Sequence, residues 1–286
     1  MQICLIQVPY MIGDDRHGAS NGPSRLIQAG LGNILTARDI AVSVDKVERE
    51  TPFRDSASAS RAVNAHLATN VKQAIATGRL PLVLAGSCDV SMGVLAGFEH
   101  AGCGVVWIDA HGDFNTPDST ISGYFAGMSL AVITGHCYSN LWAEVGDNTP
   151  IAEAATLMLG VRDLDAAERK LLELSAIQVV GWKEGKAQRD VLASLDALAK
   201  RVREIYLHID MDALAPEVAP GLVMPPVEGG VSLPDMEEIM IAVAGRFRIR
   251  AATLATYNPD LDGDEKTLRA GLRIMEALAA GLTDHH

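Results

Sequence analysis

Eight short apolar runs alternate with helical patterns along this chain, and that alternation leaves few folds open. Ile3–Val8, Ile40–Val47, Leu80–Leu84, Gly104–Ile108, Thr156–Leu159, Ala176–Val180, Glu204–Ile209 and Ala251–Thr256 read as strands. Between them, the stretch from Gly22-Pro23-Ser24 through Leu31, then Ala57–Thr77, Ser91–Glu99, Ala166–Leu174, Gln188–Arg203, Pro234–Val243 and Lys266–Ala280 read as helices. Pro23 falls in a first turn, where its missing N–H costs little. Short apolar strands alternating with helices indicate an α/β fold with a mostly parallel sheet covered on both faces. In such sheets ligands bind beyond the carboxyl ends of the strands.

The chemically capable residues sit where that rule puts them. Ala85-Gly86-Ser87-Cys88-Asp89 follows the third run, Asp109-Ala110-His111-Gly112-Asp113-Phe114-Asn115 the fourth, and Asp210-Met211-Asp212 the seventh. A single Asp-x-Asp is often a loop or a helix cap, and a lone His is more often structural. Five hard donors at i, i+2 spacings on two strand ends are a different matter. Gathered in one crevice, four carboxylates would repel and raise one another's pKa values. No Lys or Arg cluster lies nearby in sequence, so metal cations are the natural compensation. Oxygen and imidazole donors together suit Mn²⁺, and less strongly Mg²⁺, Fe²⁺ or Zn²⁺. Two carboxylates could bridge a metal pair and lower the pKa of a shared water.

Composition removes other classes. Acids outnumber bases 36 to 24, for a formal net charge of −12. That argues against sequence-independent nucleic-acid binding and against an anionic membrane surface. An acidic field still suits a small cationic substrate. Four cysteines, Cys4, Cys88, Cys103 and Cys137, form no CxxC pair, so no disulfide scaffold is expected. The start, MQICLIQVPY, has no basic leader and too short an apolar run to span a bilayer. A reducing cytoplasm is the expected setting.

DAHGDFN, HIDMDAL and the early NGPSRLIQAG together resemble the arginase, or ureohydrolase, family. The likeness continues through LAGSCDVSMG, SGYFAGM, LGVRDLDAAE, IDMDALAPEVAPG and ATYNPDLDGDEKT, nearly the whole chain. It implies one domain over 1–286 with a three-layer α/β/α sandwich, and hydrolysis of guanidino or formimino groups at a two-manganese cluster. Asp109 and Asp210 match the family's bridging carboxylates, and His111 and Asp212 the other ligands of one metal. Asp113 matches a ligand of the second metal that also orients the attacking metal-bound hydroxide. Family members often assemble as homo-oligomers, although no interface signal appears here.

Two departures matter. Cys88 stands where the family carries a sixth ligand, a His, so that Mn²⁺ position is expected to be weak, partly occupied or selective for another ion. Ala126, in SGYFAGM, stands where typical arginases carry a His that shuttles protons. The same combination is similar to a cysteine-containing branch that hydrolyses N-hydroxy-arginine. An N-hydroxyguanidine is less basic than guanidine, and its hydroxylamine-type leaving group needs less proton assistance.

On the substrate side, Asn115 and Ser122 resemble residues that bind an α-carboxylate. Asp165 and Glu168, in the RDLDAAE segment, resemble those that receive an α-amino group. Asn-Thr-Pro is equally an ordinary turn, and Asp165 could cap the helix from Ala166. The carboxylate meeting the guanidino end is either Glu228, before Gly229-Gly230, or Asp235. The expected reaction is hydrolysis of a linear guanidino or amidino amino acid, of the arginine or N-hydroxy-arginine type, with release of urea. The alternatives are another amidine, such as formiminoglutamate or a guanidino acid, or a non-catalytic member that binds metal and ligand.

Overall fold

The computed structural model describes residues 1–48 and 55–284. Among the described residues nine strands form one sheet: β1 (Gln2–Val8), β2 (Ala41–Lys46), β3 (Leu80–Ala85), β4 (Gly104–Ile108), β5 (Thr156–Val161), β6 (Gln178–Lys183), β7 (Lys186–Ala187), β8 (Glu204–Asp210) and β9 (Arg248–Ala255). Their spatial order is β2-β1-β3-β9-β8-β4-β5-β6-β7. Every pairing is parallel except the short β6–β7 hairpin at one edge.

The helices are α1 (Gly22–Gln28), α2 (Leu31–Thr36), α3 (Ser56–Ala76), α4 (Ser91–Ala96), α5 (Ser129–Ile133), α6 (Ser139–Ala143), α7 (Ala166–Leu174), α8 (Val191–Ala199), α9 (Leu233–Arg246) and α10 (Lys266–Asp284). They cover both faces of the sheet. Ile3 and Leu5 pack with residues of α1, α2, α8, α9 and α10, whereas Cys4, Ile6 and Val8 pack with residues of α3 through α7. This is the period-two alternation of a strand buried on both faces, and it makes a three-layer α/β/α sandwich. No helix among the described residues is long and apolar enough to cross a membrane.

Local chemistry fixes the element ends. Asp55 caps α3 by accepting from Ser58 N at 2.8 Å, and Ser232 caps α9 by accepting from Asp235 N at 3.2 Å. The sequence predicts one helix through Leu31; the backbone instead breaks after Gln28 and restarts as α2. Gly30, at φ 96°, makes that break in a conformation that glycine adopts without penalty. The final helix runs to Asp284 rather than Ala280.

Candidate metal centre

The strand order explains why distant residues meet. β9 lies between β3 and β8, and β4 lies beyond β8. The carboxyl ends of β3, β8 and β4 therefore bring Cys88, Asp210-Met211-Asp212 and Asp109-Ala110-His111 to one edge. Cys88 Sγ donates to Asp210 Oδ2 at 2.9 Å. His111 Nδ1 lies 2.9 Å from Asp212 Oδ2 and 3.4 Å from Asp109 Oδ1. Trp107 Nε1 donates to Asp109 Oδ2 at 3.2 Å. Backbone N–H groups hold the carboxylates in place: Ala110 N donates to Asp212, His111 N to Asp109, and Asp212 N to Asp210.

Asp113 is placed by its backbone. It sits at φ 46°, and its carbonyl accepts from Leu130 N and Ala131 N at the start of α5. Its side chain is buried, yet Oδ2 has no partner among the described residues. Glu168 braces the same loop. Its Oε1 accepts from Phe114 N at 2.9 Å and its Oε2 from Asp165 N at 3.3 Å. A side chain on Gly112 would collide with this carboxylate, so glycine is required where the loop passes.

Above the cluster lies a crevice of about 290 Å³. His111, Asp113, Asn115, Ser122, Asp165 and Glu168 all line it, together with Tyr124, Asp163 and Met224. Asn115 Nδ2 donates to Asp165 Oδ2 at 3.1 Å, which leaves its second amide hydrogen for a ligand. Two larger cavities lie elsewhere among the described residues, and neither is lined by the clustered carboxylates. The 530 Å³ cavity at the opposite sheet end is lined by the starts of β1, β3 and β9.

Several expectations change here. Neither Glu228 nor Asp235 reaches the crevice. Glu228 is exposed, and Asp235 occupies the first turn of α9, accepts from Ser232 Oγ, and lines a separate cavity with Trp182 and Asp190. Helix entry at Ser232 carries the backbone away from the crevice. Glu168 lines it, but both oxygens are taken by backbone N–H groups. Arg162, read as part of a substrate segment, clasps the carbonyls of Asp212, Ala213 and Leu214 at 2.8–3.1 Å, so it shapes the loop after β8.

Three residues carry roles that the sequence pattern hides. Thr256 follows β9 at φ 72°, a costly conformation for a β-branched residue, and its hydroxyl donates to Asp210 Oδ1. Its only signal is its place after a strand. Tyr124 lines the crevice, and its hydroxyl donates to Met11 Sδ at 3.4 Å. His208 lies within the apolar run of β8, where the run itself masks it; its i−2 spacing from Asp210 is the one clue.

The electrostatics call for cations. Burial, then Asp212, pushes Asp109 up to about 7. Burial also drives Asp113 and Asp210 well above the carboxylate range, helped by Asp109 and Asp212 respectively. Burial opposes charge on His111, but Asp212 and Asp109 outweigh it and push His111 up to about 12. Burial likewise opposes charge on Asp212, yet His111 pulls it down to about 2. Donor atoms of Asp109, His111 and Asp212 lie within 4.8 Å of one another, and so do those of Cys88, Asp109 and His208. An orphaned Asp113 oxygen, crowded carboxylates and two donor groups sharing Asp109 all fit a pair of divalent ions.

The pKa shifts make metal-free stability depend on pH. Acids with raised folded pKa values bind more protons folded than unfolded, so stability falls as pH rises through that window. The His111 contribution is full below its ordinary pKa and is lost as pH climbs toward its raised value. The Asp212 contribution has the opposite sign but is lost only below about pH 4. The melting temperature of the metal-free protein should therefore drop by about 5 °C between roughly pH 5 and 8. Divalent ions bind the deprotonated ligands, so added Mn²⁺ should stabilise more at the higher pH. Thermal melts with and without chelator check this; a flat metal-free profile would refute the charge assignment.

Comparison with known proteins gives one answer. Residues 1–281 match the family described as "Arginase family". Arginase from Bacillus caldovelox is 32% identical over 291 residues, covering 96% of this chain and 97% of that protein. Arginase from Brevibacillus brevis is 32% identical over 289 residues, covering 96% of each. The crystal structure of arginase from Bacillus cereus superposes with a TM-score of 0.86 at 30% identity, covering 97% of this chain and 98% of that one.

Proposed function

The chain belongs to the arginase family, and from that premise we propose that it hydrolyses the guanidino group of an amino acid of the arginine or N-hydroxy-arginine type. The observation that carries this reading is the stacking of two buried donor groups, joined at Asp109, beneath a crevice that also holds Asn115, Ser122 and Asp165.

Asp109, Asp210, His111, Asp212, Asp113 and Cys88 would hold two divalent ions, with Mn²⁺ the family's usual choice. When bound, such ions supply Lewis acidity and lower the pKa of water toward neutrality. The protein's own groups do the rest. Asp113 Oδ2 takes a proton from the attacking water and passes it to the departing nitrogen. His111 and Asp212 hold each other in place. Asn115 and Ser122 donate to the substrate carboxylate, while Asp165 faces its ammonium. Glu168 is better read as the brace of the Asp113 loop than as an ammonium ligand.

The lower basicity of its guanidino group favours the N-hydroxy substrate; the departing nitrogen is the same alkylamine in both compounds, so the hydroxylamine-type leaving group expected from the sequence does not apply to this bond. Ala126 is buried and carries no titratable group, and among the described residues His111 is the one His lining the crevice. With the imidazole shuttle missing, a less basic guanidine is easier to cleave.

Hydrolysis of the bond between the guanidino carbon and the alkyl-bearing nitrogen gives ornithine from either compound. The second product is urea from arginine and hydroxyurea from a terminally hydroxylated arginine. The test is both substrates side by side on Mn²⁺-loaded protein, with metal content measured on the same sample. Turnover of the N-hydroxy compound at least about tenfold above arginine supports the branch assignment. Arginine as the better substrate removes it and leaves the arginase reaction. Bound metal with no ornithine from either compound sinks the proposal. In the active enzyme, Asn115→Ala should raise KM about tenfold with little change in kcat, the loss of about one charge-assisted hydrogen bond.

A further inference from the structure

We propose that His208 Nε2 is a metal donor on the Cys88 side of the centre, forming with Cys88 Sγ and an Asp109 oxygen a thiol–imidazole–carboxylate half-site. The inference rests on the metal-dependent reading above and adds a ligand to it.

His208 sits in β8 two residues before Asp210, so both side chains point to the same sheet face. It is 0% exposed. Its ring stacks on Trp107 across the β4–β8 pairing, with centroids 3.7 Å apart and planes 11° from parallel. That contact fixes the ring plane. Nδ1 lies 2.9 Å from Tyr206 Oη, and Tyr206 Oη donates at 2.8 Å to Thr253 Oγ1. With the Tyr206 hydroxyl hydrogen on Thr253, its oxygen accepts from His208 Nδ1–H. That arrangement puts the proton on Nδ1 and leaves Nε2 a bare lone pair.

That lone pair has no hydrogen-bond partner among the described residues. A buried nitrogen left without a partner costs stability, which an apolar ring stacked on Trp107 would avoid. Donor atoms of His208, Cys88 and Asp109 lie within 4.8 Å of one another, and with Nδ1 engaged Nε2 is the one available. A ligating His typically donates its other N–H to a fixed acceptor, which sets the tautomer. The Tyr206–Thr253 pair supplies that acceptor here.

The half-site has a chemical consequence. Sulfur and imidazole together favour borderline ions such as Zn²⁺ or Co²⁺ over Mn²⁺. Asp109, His111 and Asp212, with more oxygen, form the harder half. The centre is then built for two unlike ions, and His208 restores the imidazole that Cys88 displaced.

The test is Co²⁺ titration of metal-free wild type, H208Q, Y206F and C88S. The thiolate-to-cobalt absorption band reports the ion on Cys88, and C88S serves as the blank. H208Q should move the midpoint of that band about 10- to 100-fold higher in Co²⁺, and Y206F about tenfold in the same direction. An unchanged H208Q midpoint overturns the assignment. Should H208Q fail to fold, Y206F and X-ray absorption of the wild-type cobalt protein decide. Sulfur and imidazole around one ion support His208; sulfur without imidazole overturns it. A wild type that binds no Co²⁺ or Mn²⁺ at all would overturn the metal-dependent reading itself, and this proposal with it.

Discussion

Asp113→Asn should raise the melting temperature of the metal-free protein while cutting hydrolysis by about a thousandfold or more. Two physical terms point to the gain. Burial disfavours the Asp113 charge, with Asp109 and Asp210 adding repulsion, and a neutral amide removes both terms. The residue also sits at φ 46°, a left-handed conformation that Asn tolerates well. The expected stabilisation is about 1–2 kcal/mol near pH 8, or roughly 3–6 °C. The loss of activity has a different cause. Asn cannot take up a proton, and it is a poorer ligand than a carboxylate. Melts in chelator together with turnover of the loaded enzyme check both halves. A lower melting temperature would show that Asp113 stabilises the fold rather than burdening it for function.

Glu168→Ala should do the reverse, destabilising the protein by about 3 kcal/mol and taking most of the activity with it. Its carboxylate satisfies the N–H groups of Phe114 and Asp165 in a buried setting. Truncation leaves both donors unpaired and opens space beside Gly112. Phe114 adjoins Asp113, so the loss spreads to the loop that aims Oδ2. Glu168→Gln keeps the shape and one acceptor and should show an intermediate loss of stability. The distinction lies in KM. A brace lowers kcat and stability together, whereas a group gripping the substrate ammonium would raise KM and leave the melting temperature alone. Denaturant unfolding alongside steady-state kinetics separates the two.

Much of this protein is written in local pattern. Apolar runs mark the inner strands, because a strand buried on both faces must be apolar throughout; the edge strand β2, partly exposed, carries Ser43, Asp45 and Lys46 among its apolar residues. The two-residue β7 (Lys186–Ala187) leaves no such mark, being too short for any period. The helices α2, α5 and α6 are hidden for a related reason: at five or six residues they complete barely one amphipathic turn. The arginase family membership is legible from strand-end motifs, since their spacing is imposed by the geometry of the donors.

What linear order could not supply was adjacency. The sequence by itself determined the α/β class and the family, and singled out Asp109, His111, Asp113, Asp210 and Asp212 as candidate donors, because each follows a strand whose pattern is local. The tertiary structure decided which residues work together. Only the order β3-β9-β8-β4 sets Thr256 beside Asp210 and brings His208 near Cys88 from a strand far along the sequence. Only the Ser232 cap turns Asp235 away, and only the fold hands both Glu168 oxygens to backbone donors. The physical reason is the same in each case. A residue's chemical type is local, but whether its polar atoms are free depends on partners that lie far off in sequence and are met only in the packed protein.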